Sequence, residues 1–333
     1  MYFLGCDSGS SKIAFALSDG TGRVLVKTEF PAITLFRGGA ATYAADMKRY
    51  LDAMLVRAGI GPEQVTCAAF GLTGYGETAT AARDMEAAVS AALPGVRCIL
   101  ANDSVVGWSG ALRASTGIHV VSGTGSVAYG EDGRGGAERA GGWSLFYGDE
   151  GSCYWVGVQG INAFFRQADG RMERTMLFDY IMDLFKLTDP LFVCGAFEEM
   201  TDGGSADKVA AFQRHVLALY RMGDPVAKSI YTRAAEQLSL LVKALKDRLR
   251  FDENAPVSVS WSGGLFKAGE CVLSPFSEKV RALGCVPAPP AYGPLAGAVG
   301  YAARTLLSPE ETNRIMEAVD KAESIPEYNQ QLT

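Results

Sequence analysis

The stretch that most constrains this chain is Val120-Val121-Ser122-Gly123-Thr124-Gly125-Ser126-Val127. Two apolar residues run into a turn of glycines and small hydroxyls. The chain then resumes as Val127-Ala128-Tyr129 and turns again at Glu131-Asp132-Gly133. That pattern specifies a β-hairpin with a tip that carries no bulk. Glycines let backbone N–H groups approach a ligand closely and the hydroxyls add donors, so the tip is either an ordinary tight hairpin or a cradle for a polyphosphate. The chain repeats the layout near its start. There Tyr2-Phe3-Leu4-Gly5-Cys6 leads into Asp7-Ser8-Gly9-Ser10-Ser11-Lys12, and Ile13-Ala14-Phe15-Ala16-Leu17 leads to a turn at Ser18-Asp19-Gly20. Two copies in the two halves of one chain imply a duplicated fold with both tips facing one cleft. Only the first copy ends its strand on an acid, Asp7, which either serves Mg²⁺ and its water or caps the turn.

Composition matters here for what it excludes. A net charge of −6, with no block of Lys or Arg, argues against nucleic acid or an acidic membrane as partner. No apolar run reaches the roughly 18 residues that a membrane helix needs, and 1–4 carry no basic leader, which reads as a cytoplasmic protein. The seven cysteines are scattered without CxxC spacing, as small buried hydrophobes are. With His119 and His215 the only histidines, a Ser-His-Asp triad or a histidine metal site is disfavoured, and a general base is to be sought among the carboxylates.

Along the chain, 23–30 alternate as a strand and 40–58 place Tyr43, Met47, Tyr50, Leu51, Met54 and Leu55 on a helical stripe that Gly59 stops. A strand over 66–72 ends in Thr73-Gly74-Tyr75-Gly76, a helix covers 79–93, and a strand over 96–101 ends at Asn102-Asp103. Ligand groups collect at the carboxyl ends of such strands, so Asp103 is either functional or the N-cap of the next helix. The segment 141–155, rich in glycine and aromatic residues around Gly148-Asp149-Glu150-Gly151, suits a polyhydroxylated ligand, since sugar faces stack on rings and hydroxyls need acceptors. Residues 175–250 read as helical with breaks near 195, 203 and 223, ending in a long helix over 225–249. The strand at 257–261 meets Ser262-Gly263-Gly264, where two glycines let a flat ring lie on the backbone or simply start the helix that runs to Leu283. A glycine-rich helix over 293–302 and one from Pro309 follow, with a loose tail from about Pro326.

Together, Asp7-Ser8-Gly9-Ser10-Ser11, Asn102-Asp103, Ser122-Gly123-Thr124-Gly125-Ser126, Gly142-Trp143, Gly148-Asp149-Glu150-Gly151-Ser152 and Ser262-Gly263-Gly264-Leu265-Phe266 resemble the N-acetylglucosamine kinase branch of the BadF/BadG/BcrA/BcrD-type ATPase family, within the sugar kinase, heat-shock chaperone and actin superfamily. The resemblance implies an α/β chain of two ribonuclease-H-like (actin-like ATPase) domains with a ligand cleft between them. They are placed at 1–115 and at 116–333, the second with helical insertions and with its last helix free to pack back on the first. By motif position it further implies ATP held by Gly9, Ser10, Ser11, Lys12, Gly123, Thr124, Gly125, Gly263 and Gly264, with Mg²⁺ on Asp7. Asp103 is then the general base, and Thr73, Gly74, Asn102, Asp103, Ser126, Val127, Gly142, Trp143, Ser144 and Asp149 surround the sugar. The implied activity is ATP-dependent phosphorylation of an amino sugar, N-acetylglucosamine or a related N-acetylhexosamine or glucosamine, by a chain that a homodimer would suit.

Two features depart from that pattern. Family sugar kinases usually contact the sugar through an Asn soon after the third strand, and 32–39 contain none. Thr73-Gly74-Tyr75-Gly76 resembles instead the activator ATPases of the same family, which drive CoA-ester reductases or dehydratases and hold an iron–sulfur cluster between subunits on paired cysteines. Cys153 and Cys194 do not form such a pair in sequence. A non-catalytic sugar- or nucleotide-binding regulator is the third reading, without a DNA-binding extension to support it.

Overall fold

The computed structural model describes residues 1–9 and 11–323, apart from the side chains of Phe36 and Arg37. The chain divides into two units, Met1–Thr116 together with the segment from Pro289 onward, and Gly117–Ala288. The division after 115 expected from sequence lies one residue from the first crossing. The segment from 289, placed in the second domain with only its last helix free to pack back on the first, belongs to the first unit.

The first unit opens with β1 (Tyr2–Ser8), β2 (Lys12–Asp19) and β3 (Val24–Pro31), an antiparallel meander. Then come α1 (Leu35–Ala58), β4 (Val65–Leu72), α2 (Ala79–Ala92), β5 (Arg97–Asn102) and α3 (Asp103–Ala111). β4 and β5 add in parallel, giving the order β3-β2-β1-β4-β5. The helix legible from Ala40 begins at a kink, because Gly39 is left-handed (φ 72°) and separates it from a first turn at 35–38. Gly59 then ends it in the left-handed conformation, as expected (φ 69°).

The second unit repeats the plan. β6 (Gly117–Ser122), β7 (Ser126–Glu131) and β8 (Ala137–Gly141) form the meander, and α4 (Cys153–Ala168), α5 (Met176–Leu184), α6 (Val193–Met200), α7 (Ala206–Ala211), α8 (Gln213–Met222) and α9 (Pro225–Arg248) follow. β9 (Val257–Ser262), α10 (Glu270–Ala282) and β10 (Cys285–Pro287) complete it, in the sheet order β10-β9-β6-β7-β8. Matching β6 to β1 and β9 to β4 superposes the two orders, senses included, so the duplicated ribonuclease-H-like fold holds in the structure. Two expectations need correcting. Gly195 sits inside α6, where its missing side chain faces open space and breaks nothing. After the Gly263-Gly264 junction a short 3-10 turn, Leu265–Ala268, precedes α10.

The core of the second unit gathers Ile118, Val120 and Val259 from the sheet with the stripe Ala227, Ile230, Ala234, Leu238, Val242 and Leu245 of α9. The wholly buried Asp224 caps α9, accepting from the Val226 and Ala227 N–H groups at 2.9 Å each, and ties it to α5 through the Leu177 N–H at 3.0 Å.

The chain then returns to the first unit as α11 (Pro294–Ala303) and α12 (Pro309–Lys321). Strand alternation prepares the two faces of that sheet. Leu4, Cys6, Ile13, Phe15, Leu17 and Phe70 point to one core with α1 and α2, while Phe3, Ala14, Ala16, Cys67 and Ala69 meet Ala296, Val299, Ala302 and Met316 on the other. The second face is small because α11 lies against it backbone to backbone. A Cβ at Gly5 would stand 2.5 Å from the Val299 nitrogen. Lys27 on β3 donates to the Val319 and Ala322 carbonyls at the end of α12, at 3.0 and 2.8 Å. The tail expected from Pro326 lies outside the described residues.

Candidate active site

In the first unit the strand ends bring together two acids. Asp7 is the next-to-last residue of β1 and Asp103 opens α3 directly after β5. Both readings offered for position 103 meet here. The N-cap is Asn102, whose side-chain oxygen accepts from the Ser104 N–H at 3.1 Å and the Ser104 hydroxyl at 2.7 Å, and this leaves the Asp103 carboxyl outside the cap. Burial pushes the Asp7 carboxyl up to about 7, helped by the negative charge of Asp103. Burial also raises Asp103, against the opposing pull of a hydrogen bond from Thr73. The Thr73 hydroxyl lies 3.1 Å from Asp103 Oδ2 and donates to the Ser8 carbonyl. Gly74, with Gly76, takes a positive φ (81° and 82°) in the turn that carries Thr73.

The first hairpin tip closes through the Gly9 N–H, which donates to the Lys12 carbonyl at 2.9 Å. Ser11 is exposed, and Ser10 lies outside the described residues. The Lys12 ammonium is paired with Glu29 at 2.6 Å across the sheet, an exposed pair that holds it only weakly. Asp7 fits a divalent cation. It is half-buried at a strand end, and the repulsion from Asp103 that raises it is what a dication would relieve.

The second unit builds its tip differently. Gly123, Thr124 and Gly125 join β6 to β7, with the Gly123 N–H donating to the Gly125 carbonyl at 2.9 Å. The first turn of α4 comes up against this tip, for the Cys153 N–H donates to the Gly123 carbonyl at 2.9 Å and the Tyr154 N–H reaches the Thr124 carbonyl at 3.4 Å. Tyr154 and Trp155, the end of the glycine- and aromatic-rich segment 141–155, therefore belong to a helix that Ser152 caps. The strands also grip the loop before it. Ser122 Oγ donates to the Gly151 carbonyl and Ser126 Oγ to the Glu150 carbonyl, each at 2.8 Å, and the Gly142 N–H donates to the Ser126 carbonyl at 2.8 Å. The Ser126 hydroxyl is thus engaged with the loop that holds Asp149.

Asp149 is buried, with a positive φ of 56°, and its Oδ2 is where a Cβ at Gly125 would be, 2.5 Å away. A Cβ at 125 would push that carboxylate aside, whereas a Cβ at Gly123 would meet open space. Ser144 also has a positive φ (93°), and strain of this kind in so short a loop is characteristic of sites built for function. Trp143 is 71% exposed, Val127 packs beside Gly142, and the Arg139 guanidinium stands 5.6 Å over the Trp143 ring. The Gly263-Gly264 junction reaches the same tip. Gly263 has φ 104°, and a Cβ there would stand 2.2 Å from the Ser122 carbonyl oxygen, so the two glycine turns lie in contact.

Two further residues emerge that the sequence did not single out. Asp207 on α7 accepts from the Thr124 hydroxyl at 3.2 Å, and nothing in its helical surroundings signals a phosphate tip. His119 of β6 is buried beneath the glycine junction, its Nε2 2.9 Å from Ser262 Oγ. Burial lowers the imidazole to about 3, so it stays neutral when folded. Below about pH 6.5 the unfolded chain takes up a proton that the fold refuses, so this contribution is full above about pH 6.5 and declines as pH falls towards 3. Between pH 7.5 and 4.5 the wild type is expected to lose about 2–3 kcal/mol more stability than His119→Gln in denaturant titrations. Equal losses in both proteins would show that His119 does not resist protonation.

The chain matches the model of the BadF/BadG/BcrA/BcrD ATPase family over residues 4–302. It is 30% identical over 277 residues to the N-acetylmuramic acid/N-acetylglucosamine kinase of Clostridium acetobutylicum, covering 79% of this chain and 85% of that protein. It is 24% identical over 181 residues to the N-acetyl-D-glucosamine kinase of Dictyostelium discoideum, covering 54% of this chain and 56% of that one. A solved structure from Chromobacterium violaceum, described as a candidate N-acetylglucosamine kinase, superposes with a TM-score of 0.69 at 25% identity, over 90% of this chain and 97% of its own. With its doubled fold and a match over nearly its whole length, the chain belongs to the BadF/BadG/BcrA/BcrD ATPase family.

Proposed function

We propose that this protein transfers the γ-phosphoryl group of ATP to a hydroxyl of an amino sugar, N-acetylglucosamine or a related N-acetylhexosamine. The observation that carries the reading is Asp103, a carboxylate outside the helix cap, made more basic by burial and standing near a second acid at the end of β1. Phosphoryl transfer asks mainly for positioning and neutralisation of charge, so one base and a set of fixed donors suffice.

Asp103 accepts the proton of the attacking hydroxyl, and its raised affinity for protons brings it closer to the working pH of a general base. In the second unit the Gly123-Thr124-Gly125 turn is a phosphate-binding element, and in the first unit the hairpin tip at Gly9, Ser11 and Lys12 is another. Thr124 turns its hydroxyl from Asp207 to a phosphate oxygen, and Lys12 leaves Glu29 to do the same. Gly263 and Gly264 take the adenosine. Trp143 offers an exposed ring for the sugar face and Asp149 an acceptor for its hydroxyls. Asp7 would hold Mg²⁺, which when bound supplies positive charge to the phosphates. An enzyme fed by ATP works where ATP is kept, which places it in the cytoplasm; among the described residues no helix is long and apolar enough to cross a membrane.

The test is a coupled ADP-release assay over a panel of amino sugars, expected to show ADP formed only when a sugar is present. ADP release that no sugar stimulates, together with iron and visible absorbance in the pure protein, would replace this reading with the activator one. Trp143→Ala is expected to raise the Michaelis constant for the sugar about tenfold or more and leave that for ATP within about twofold. Equal effects on both constants would take Trp143 out of the sugar site.

A further inference from the structure

We infer that Thr73 is the positioning residue of Asp103, fixing the direction of the base by tying it to the strand that leads into the first hairpin. The inference rests on the kinase reading above. Thr73 directly follows β4, and its one hydroxyl meets two groups from neighbouring elements. It donates to the carbonyl of Ser8, the last residue of β1, and stands 3.1 Å from Asp103 Oδ2 at the start of α3. Both partners are acceptors and a threonine hydroxyl has a single proton, so that proton is shared between them and none is left to give a ligand.

The platform beneath this oxygen is rigid. The Tyr75 N–H donates to the Leu72 carbonyl at 3.1 Å and the Glu77 N–H to the Gly74 carbonyl at 3.2 Å. Gly74 and Gly76 hold the left-handed conformations that such a turn requires. On the other side, the Asn102 cap fixes the backbone from which Asp103 projects. The backbone N–H groups of Ser104 and of Asp103 itself hold the carboxyl from the α3 side, and Thr73 holds it from the end of β4. Among the described residues, Thr73 is the side chain hydrogen-bonded to it. A base works only when one of its oxygens points at the proton it takes, and a displacement of about 1 Å can cost about a hundredfold.

The experiment compares Thr73→Val, which keeps the shape and removes the hydroxyl, with Thr73→Ser, which keeps the hydroxyl, in the full chain. Thr73→Val is expected to lower kcat about 10- to 100-fold, with both Michaelis constants within about threefold of wild type, and Thr73→Ser to recover kcat to within about threefold. A crystal structure of Thr73→Val should show the Asp103 carboxyl rotated out of its wild-type direction. Near-wild-type kcat in Thr73→Val, a loss confined to the sugar Michaelis constant, failure of Thr73→Ser to recover, or an unmoved Asp103 would each overturn the assignment. If the wild type phosphorylates no amino sugar, the kinase reading falls by itself, and the crystal structure of the Val variant still decides whether Thr73 holds Asp103.

Discussion

Replacing Asp103 with Asn is expected to reduce ATP-dependent sugar phosphorylation about a thousandfold in kcat, with nucleotide affinity unchanged within about threefold. The amide has the size of the carboxyl and retains an oxygen that can accept from Thr73, while Asn102 continues to cap α3, so the local fold has no reason to move. What disappears is the ability to take a proton. Steady-state kinetics and calorimetric titration with ATP separate the two effects. Turnover close to wild type would show that another group takes the hydroxyl proton. A parallel loss of nucleotide binding would show that the substitution disturbs more than the base.

The largest effect on stability is expected at Gly297. A Cβ there would lie 2.1 Å from the Val106 carbonyl oxygen and 2.3 Å from the Gly110 nitrogen, both in the backbone of α3. No side chain can rotate aside to make room, so α3 and α11 must separate. The Ser109 hydroxyl, which donates to the Gly297 carbonyl at 2.8 Å, loses its partner when they do. Gly297→Ala is expected to cost about 3 kcal/mol or more and to lower the melting temperature by roughly 10 °C. Gly195→Ala is the matched control. It too is a helix-interior glycine, but its missing side chain faces open space, and gaining alanine's helix propensity should leave stability equal or up to about 1 kcal/mol higher. Similar melting temperatures for the two variants would remove the packing argument.

The parts of the fold that were legible in the sequence are those in which short-range chemistry decides conformation. The apolar strands at 2–6 and 13–17, the alternation in 23–30, and Gly59 as a stop all survive in the structure because period and turn residues act within a few positions. β8 and β10 escaped the sequence reading. Ala137-Glu138-Arg139-Ala140-Gly141 has neither β-branched nor aromatic residues, and β10 is three residues long, so each is a strand by pairing with a neighbour. The return of α11 to the first unit is likewise set by contacts with β1 and α3, hundreds of positions away in sequence. The candidate site divides in the same way. Asp7 and Asp103 could be found because strand ends are predictable. Thr73 could be noticed only as part of a glycine-rich turn, and its contact with Asp103 needed coordinates. Asp207 lay in a stretch whose helical pattern carries no trace of the tip it touches, and His119 read as one polar residue in an apolar strand.

The second unit is a single uninterrupted length of polypeptide, whereas the first is assembled from two lengths with the whole of the second between them. On the ribosome the two therefore mature by different schedules. Everything needed for the Gly117–Ala288 body has been synthesised before Pro294 is added. The earlier sheet must meanwhile wait with its alanine-and-glycine surface uncovered until α11 arrives to lie on Gly5. Termination between Ala288 and Pro294 would thus leave the body made in the middle with all its residues and deprive the one begun first, which carries Asp7 and Asp103, of α11 and α12.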